Sequence, residues 1–499
     1  MKFNKKKLST KNNLFLLIFL FTFFLVLNFS RLLFDTYNLE WYFIELSKYF
    51  TDQNYYFDIN LFKQNQANTT FYSLFFNVIN NFLFSYKEKL FFVRIFQFFF
   101  FLVVFYYFYK IIRIDLEKKI QLLFLLLFSP IITVYLFRVY PDLLSVLLSW
   151  LSLIFFFNKN LKMSIVLYCI SFLLKPVSII ILPFFFLIAF YKFQDKILKI
   201  IFCYLFFIIT TYFLYFFFYE KIIFGDYYKS TYYSFNFLNT FANFLYYYNY
   251  IVLLISPLVF FLIINSSFNK NINVKKIFYF IIISIPITIF LNINAFQHGE
   301  LNYSYINKLI NNNYLLFFII FFNTLLGLIL FNIFILNKQL KNIFIFFLVC
   351  IFFLSVLIAR PSQRYLIYLL PFLFFLIIEI YKNKKKYLRI SFFFYILVFS
   401  LITYGQKKIQ QATLDSTNII LSYIENYNLF ELTHPGEIYH SHGYLFKKFL
   451  ITEIKLKKQI SYIYQIDDCL SGHDIILKEK INLMNINIKK LCLKKLNKI

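Results

Sequence analysis

Runs of about 15–22 apolar residues recur along the first 405 positions of this 499-residue chain. Each is about the length that an α-helix needs to cross the hydrocarbon of a bilayer. Hydrophobic residues make up 61% of the chain, against about 45–50% in soluble domains, and mean hydropathy is +0.68. Such a chain does not build one water-soluble core. It places helices in lipid, where each helix satisfies its own backbone groups. Spans are expected at roughly 14–33, 90–109, 120–137, 143–157, 163–175, 177–191, 200–218, 250–265, 277–293, 314–336, 343–359, 365–381 and 390–405. The fold class is therefore an all-α polytopic membrane protein with about 11–13 transmembrane helices. The pair 163–175 and 177–191, joined at Lys175-Pro176, reads either as two spans or as one broken hairpin.

The net charge of +28 does not point to nucleic acid. Lys and Arg concentrate in the short segments between apolar runs, as membrane topology demands, and no zinc-ligand spacing or nucleic-acid motif accompanies them. The abundance of Phe and Tyr matches the codon usage of an A+T-rich genome, so it is not taken as a sign of carbohydrate stacking. With the N-terminus cytoplasmic, the inside segments carry 24 Lys/Arg in 63 residues, and the outside segments up to residue 365 about 12 in roughly 128. That density ratio, near four, orients the chain. The basic start Met1–Asn13 and the run after it read as a retained first helix, because the run lacks a small-residue cleavage site.

Two sizeable segments then lie outside a cell (inner or plasma) membrane. One is the loop 34–89 after the first helix. The other is 406–499, expected as a small α+β extracytoplasmic domain beyond a transmembrane domain of residues 1–405. Cys169, Cys203 and Cys350 fall in spans as packing residues. Cys469 and Cys492, both in the tail, are either a disulfide or two unrelated thiols.

Charged residues at the outer membrane edge carry the chemistry, because charge near hydrocarbon is costly. Asp35 follows the first helix closely, with Glu40 and Glu45 behind it, and Asp35 with one of them forms the acidic group. Arg138 and Asp142 share the turn Arg138-Val139-Tyr140-Pro141-Asp142, where Pro141 and Asp142 also suit a helix start. Lys175 stands alone between apolar runs. Arg360 and Arg364 sit in Arg360-Pro361-Ser362-Gln363-Arg364, and arginines there oppose the topology rule. His298 and Glu300 lie in the loop 294–313. Each also has a plain structural reading: a solvated helix end, a dipole partner, a snorkelling lysine or a lipid-headgroup contact. His434, His440 and His442 lack a fixed scaffold and a fourth ligand, so no metal is assigned to them. Together the outside residues suit chemistry on a lipid phosphate, with a base for an acceptor hydroxyl and cations for the departing phosphate.

In this order of features the chain resembles the GT-C superfamily of membrane glycosyltransferases, which includes protein O-mannosyltransferases and the bacterial lipid A aminoarabinose transferase. The residues that carry the resemblance are Phe34-Asp35 after a basic N-terminus and one helix; Phe71-Tyr72-Ser73-Leu74 in the long loop; and Phe92-Val93-Arg94 opening the second helix. They continue with Arg138 to Asp142, Lys175-Pro176, and Arg364-Tyr365 leading to Pro371. The resemblance covers about residues 1–400. It implies inverting transfer of a sugar from a polyprenyl-phosphate donor to a glycan, lipid or protein acceptor on the outer face, with membrane lipids around the protein and no nucleic acid. It implies Asp35 as base and Arg138, Lys175 and Arg364 as donor-phosphate contacts, with Arg360 beside them. Asp35 is not followed directly by a second acid, so no clear acidic pair supports a divalent cation, and the cofactor stays open. The alternatives are an O-antigen-type polymerase or ligase, whose large outside loop lies late in the chain, and a transporter or flippase. Only seven glycines and no internal repeat speak against a transporter.

Overall fold

A computed structural model of the chain describes residues 2–33, 86–111, 115–192, 201, 203–211, 213, 237–264, 274–294, 313–357, 362–381, 384–429, 433–434, 464–468, 474–483 and 486–495. It is mostly helical, with one small sheet. The helices are α1 (Lys2–Leu32), α2 (Tyr86–Ile111), α3 (Leu116–Leu127), α4 (Pro130–Leu136), α5 (Pro141–Phe157), α6 (Leu161–Leu174) and α7 (Leu182–Lys192). They continue as α8 (Phe237–Ile264), α9 (Val274–Asn294), α10 (Asn313–Leu336), α11 (Lys341–Leu357), α12 (Leu370–Ile380) and α13 (Lys385–Asn426). Two 3-10 segments, Pro176–Ile181 and Gln363–Leu369, lead into α7 and α12. Six helices among the described residues are long and apolar enough to span a bilayer, or seven if α3 and α4 form one broken span. Five more apolar helices are shorter. The chain is a multi-pass membrane protein.

The break in the apolar run 120–137 has a local cause. Pro130 has no N–H to offer and holds the residue before it extended; Ser129 accordingly has ψ 124°. The helix axis turns by 68° there. Thr133 Oγ1 donates to the Leu127 carbonyl at 2.6 Å, satisfying an acceptor at the break that would otherwise be stranded in an apolar setting.

Helices α5 and α6 form a tight hairpin. Lys159 adopts a left-handed φ of 65°, and the Asn160 side chain accepts from the Met163 N–H at 3.3 Å to start α6. Serines at 145, 149 and 152 repeat along one face of α5 and meet Ser171 and Ser164 of α6. Ser149 and Ser171 hydroxyls lie 2.6 Å apart, and the Ser152 hydroxyl donates to the Ser164 carbonyl at 2.6 Å. Small side chains let the two backbones approach, and the hydroxyls supply interhelical hydrogen bonds. Beyond α6, Lys175 is extended (φ −155°, ψ 107°) and separates that helix from the 3-10 segment that leads into α7.

The two ends of the bundle differ chemically. At one end, the start of α3 pairs with the α12–α13 corner. Lys118 lies 3.6 Å from Glu379, Lys385 lies 3.7 Å from Asp115, and Arg389 Nη2 donates to Glu117 at 2.9 Å. At the other end, α1 and α13 run side by side. Arg31 Nη2 donates to the Thr403 carbonyl at 2.9 Å, and Lys407 Nζ donates to the Leu27 carbonyl at 3.3 Å.

Helix α13 does not stop at residue 405. It runs 42 residues to Asn426, about 63 Å at 1.5 Å per residue, twice the thickness of a hydrocarbon core of about 30 Å. Its last turns carry a small core of their own. Ile420, Leu421 and Ile424 pack against Ile466 and Leu493. Those two belong to a four-stranded sheet of β1 (Thr433–His434), β2 (Tyr464–Asp468), β3 (Asp474–Leu483) and β4 (Ile486–Lys495), in the order β1-β2-β4-β3. β1 runs parallel to β2; the other pairings are antiparallel. Cys492 of β4 is disulfide-bonded, while Cys169, Cys203 and Cys350 are free. Cys469 lies outside the described residues.

Candidate functional site

Three breaks between helices bring charge to one place. The first is the α4–α5 turn, which carries Arg138 and Tyr140 and puts Pro141 at the start of α5 with Asp142 in its first turn. Proline fits there because the first N–H has no helical partner, and the carboxylate faces the positive end of the helix dipole. The second is the end of α6, where Lys175 caps the helix in an extended conformation ahead of Pro176. The third is the 3-10 segment Gln363–Leu369, which carries Arg364.

Asp142 is fully buried. One of its oxygens, Oδ1, lies 3.7 Å from Lys175 Nζ and 3.9 Å from Arg364 Nε. Both separations exceed a hydrogen bond, and neither oxygen accepts a hydrogen bond among the described residues. At an effective dielectric of 20, each attraction amounts to about 4 kcal/mol before desolvation is counted. Two cations thus share one carboxylate, and Arg138 stands in the same turn as that carboxylate.

Aromatic rings line the cluster. The Arg138 guanidinium lies 5.8 Å from the Tyr135 ring centroid and that of Arg364 5.0 Å from the Tyr365 ring, both within cation–π range. Arg364 Nη2 also donates to the Tyr365 hydroxyl at 3.1 Å. Burial pushes the Tyr140 phenol well above its ordinary value, with the Arg364 charge opposing that push, so it remains a neutral hydroxyl at physiological pH. Leu90, Val93, Val139, Tyr140, Leu144 and Leu174, several of them next to the charged residues in the sequence, pack into one small apolar cluster.

A second layer holds these residues in register. Ser145 bonds the Tyr368 hydroxyl, and Trp150 Nε1 donates to the Tyr368 carbonyl at 3.0 Å. The Ser362 N–H donates to the buried Tyr247 hydroxyl at 3.1 Å.

Of the residues singled out in the sequence, the structure gathers Asp142, Lys175 and Arg364, with Arg138 in the same turn as Asp142. Asp35, Glu40, His298, Glu300 and Arg360 lie outside the described residues. No group of three or more His, Cys, Asp or Glu side chains comes together among the described residues. Sequence reasoning assigned no role to Ser145, Tyr368 or Gln97. The serines at 145, 149 and 152 do carry a helical spacing, which signals a packed face. Gln97, a lone amide in an apolar run, is a signal of the same kind.

Compared with known protein families, curated proteins and solved structures, the chain matches none.

Proposed function

We propose that the chain is an integral membrane glycosyltransferase that moves a sugar from a polyprenyl-phosphate donor to an acceptor hydroxyl at the extracytoplasmic face, inverting the anomeric centre. The observation that carries this reading is the convergence of Lys175 and Arg364, from two separate helix breaks, on the buried carboxylate of Asp142. Partly buried cations on a buried carboxylate, with apolar side chains next to them in the sequence, suit an anion tethered to a lipid chain.

In this reading Asp35 takes the proton from the acceptor hydroxyl. The oxygen attacks the anomeric carbon, and the bond to the phosphate oxygen breaks. The departing phosphate keeps the electron pair, so its charge grows from about −1 toward −2. Lys175, Arg138 and Arg364 face that growing charge, a role the sequence also assigns to Arg360. Cations fixed in a water-poor site stabilise it more than water would. Asp142, close to both, offsets the mutual repulsion of Lys175 and Arg364 between turnovers.

The test is release of polyprenyl phosphate from a polyprenyl-phosphate hexose by the full-length protein in lipid nanodiscs. Release by the wild type and its loss in Asp35→Asn, in protein that still inserts and folds, is the expected result. Release at wild-type rate by Asp35→Asn would remove Asp35 as base. No release by any protein, across several donor sugars and acceptors, would overturn the reading.

A further inference from the structure

We infer that Arg94 and Gln97, on one face of α2, form a spacer that holds the exit of α1 against the Arg138–Asp142 turn. They thereby act as positioning residues for the transfer reaction. The inference rests on the function proposed above, and its test separates the two.

Arg94 lies two turns into α2 and is 1% exposed. Its Nη1 donates to the carbonyls of Arg31 at 3.3 Å and Leu32 at 3.2 Å. Those carbonyls belong to the last turn of α1, where a helix has no N–H of its own left to offer. One guanidinium therefore bridges two backbone acceptors at the point where the chain leaves the helix. Asp35 follows Leu32 by three residues in the sequence.

Gln97 is one turn further along the same face, because residues three apart on a helix are neighbours; the rise between them is about 4.5 Å. It is also 1% exposed, and its Nε2 donates to the Tyr140 carbonyl at 3.5 Å. Tyr140 is the residue before Pro141, between Arg138 and Asp142. The contacts at the two positions thus reach the α1 exit on one side and the cation-bearing turn on the other. The α1 exit is also gripped from α13 through Arg31 and Lys407, and α2 joins it to the Arg138–Asp142 turn.

The mechanical consequence is specific. In the proposed reaction the base and the phosphate cations act at opposite ends of the breaking and forming bonds. A spacer between the α1 exit and the cation-bearing turn controls alignment rather than donor affinity, and small misalignments cost large factors in rate. Loss of the spacer should lower kcat and leave KM nearly unchanged.

The experiment uses full-length protein in nanodiscs with a polyprenyl-phosphate hexose as probe, comparing wild type, Arg94→Ala, Arg94→Lys and Gln97→Leu. Hydrogen exchange is followed by mass spectrometry over 28–33 and 138–142. The expected result is a fall in kcat of tenfold or more for Arg94→Ala and a smaller fall for Gln97→Leu. KM should stay within about twofold, and Arg94→Lys should recover part of kcat. Exchange should quicken at both segments in Arg94→Ala. Unchanged kcat, or a loss confined to KM, overturns the inference, as does quickening at 28–33 alone. If the wild type turns over no donor, the function proposed above fails. The spacer is then judged by exchange alone: faster exchange at both segments supports it and unchanged exchange at 138–142 rejects it.

Discussion

Ser145 and Tyr368 share a hydrogen bond of 2.7 Å between α5 and the 3-10 segment Gln363–Leu369. Ser145 lies three residues after Asp142, and Tyr368 four after Arg364. The bond therefore fixes the register of the two elements that carry this ion pair. Tyr368→Phe removes it without changing the ring. Ser145 keeps a partner in the Ser171 carbonyl at 2.8 Å, so no buried donor is stranded. The expected cost is about 0.6–1.5 kcal/mol, read as a lowered unfolding midpoint in detergent.

Asp142→Asn should be far more damaging than loss of either cation. It removes the buried carboxylate that both cations approach, and breaking a buried ion pair costs about 3–5 kcal/mol. Lys175→Met leaves Arg364 against the same carboxylate and should cost clearly less. Arg389→Ala, at the opposite end, removes a partner whose side chain is 59% exposed and should cost under about 1 kcal/mol. Equilibrium unfolding of the three variants ranks them. If Asp142→Asn proved as mild as Arg389→Ala, Asp142 would have lost its place as the centre of the cluster.

The ends of the helices make a topology prediction. Asn158 lies at the far end of α5 from Asp142, and Tyr427 follows the end of α13. With the N-terminus cytoplasmic, a cysteine at 158 should react with an impermeant thiol reagent only from the cytoplasm, and one at 427 only from outside. The reverse pattern would put the Asp142 cluster on the cytoplasmic side and remove the proposed reaction from the outer face.

The sheet is held to α13 by few side chains, so it should detach before the bundle melts. Ile424→Ala removes a buried side chain from the small core with Ile466 and Leu493, at an expected cost of about 2–5 kcal/mol. Limited proteolysis should then release fragments beyond Asn426 while the helices before it stay protected. Simultaneous loss of both parts would show that the sheet core and the bundle unfold as one unit.

Hydropathy alone located the apolar helices, because lipid demands long unbroken runs and loops demand charge. The described helices overlap the expected runs from α1 to α13, although 200–218 is described only in part. Hydropathy did not locate the far end of α13. Residues past Thr403 are polar on most faces, and their helix is secured by a narrow stripe, Leu414, Ile420, Leu421 and Ile424, which no window average detects. The bend at Ser129-Pro130 was readable from the proline, but the apolar run concealed it. At the site, Lys175 and Arg364 stood out because charge between apolar runs is costly. Their meeting at one oxygen of Asp142 was not readable, since it depends on how α6 and the Gln363–Leu369 segment pack on α5. The bridging roles of Arg94 and Gln97 depend on side-chain reach across three helices, which spacing within one helix does not encode.

The length of α13 makes it a lever. Its grip on α1 lies at Thr403 and Lys407, and the helix continues about 28 Å beyond to Asn426 at 1.5 Å per residue. A change in tilt of about 10°, of the kind helices make to match bilayer thickness, moves the far end sideways by about 5 Å. The sheet rides on that end, so a small adjustment of the helix inside the lipid becomes a displacement of several ångströms in the sheet.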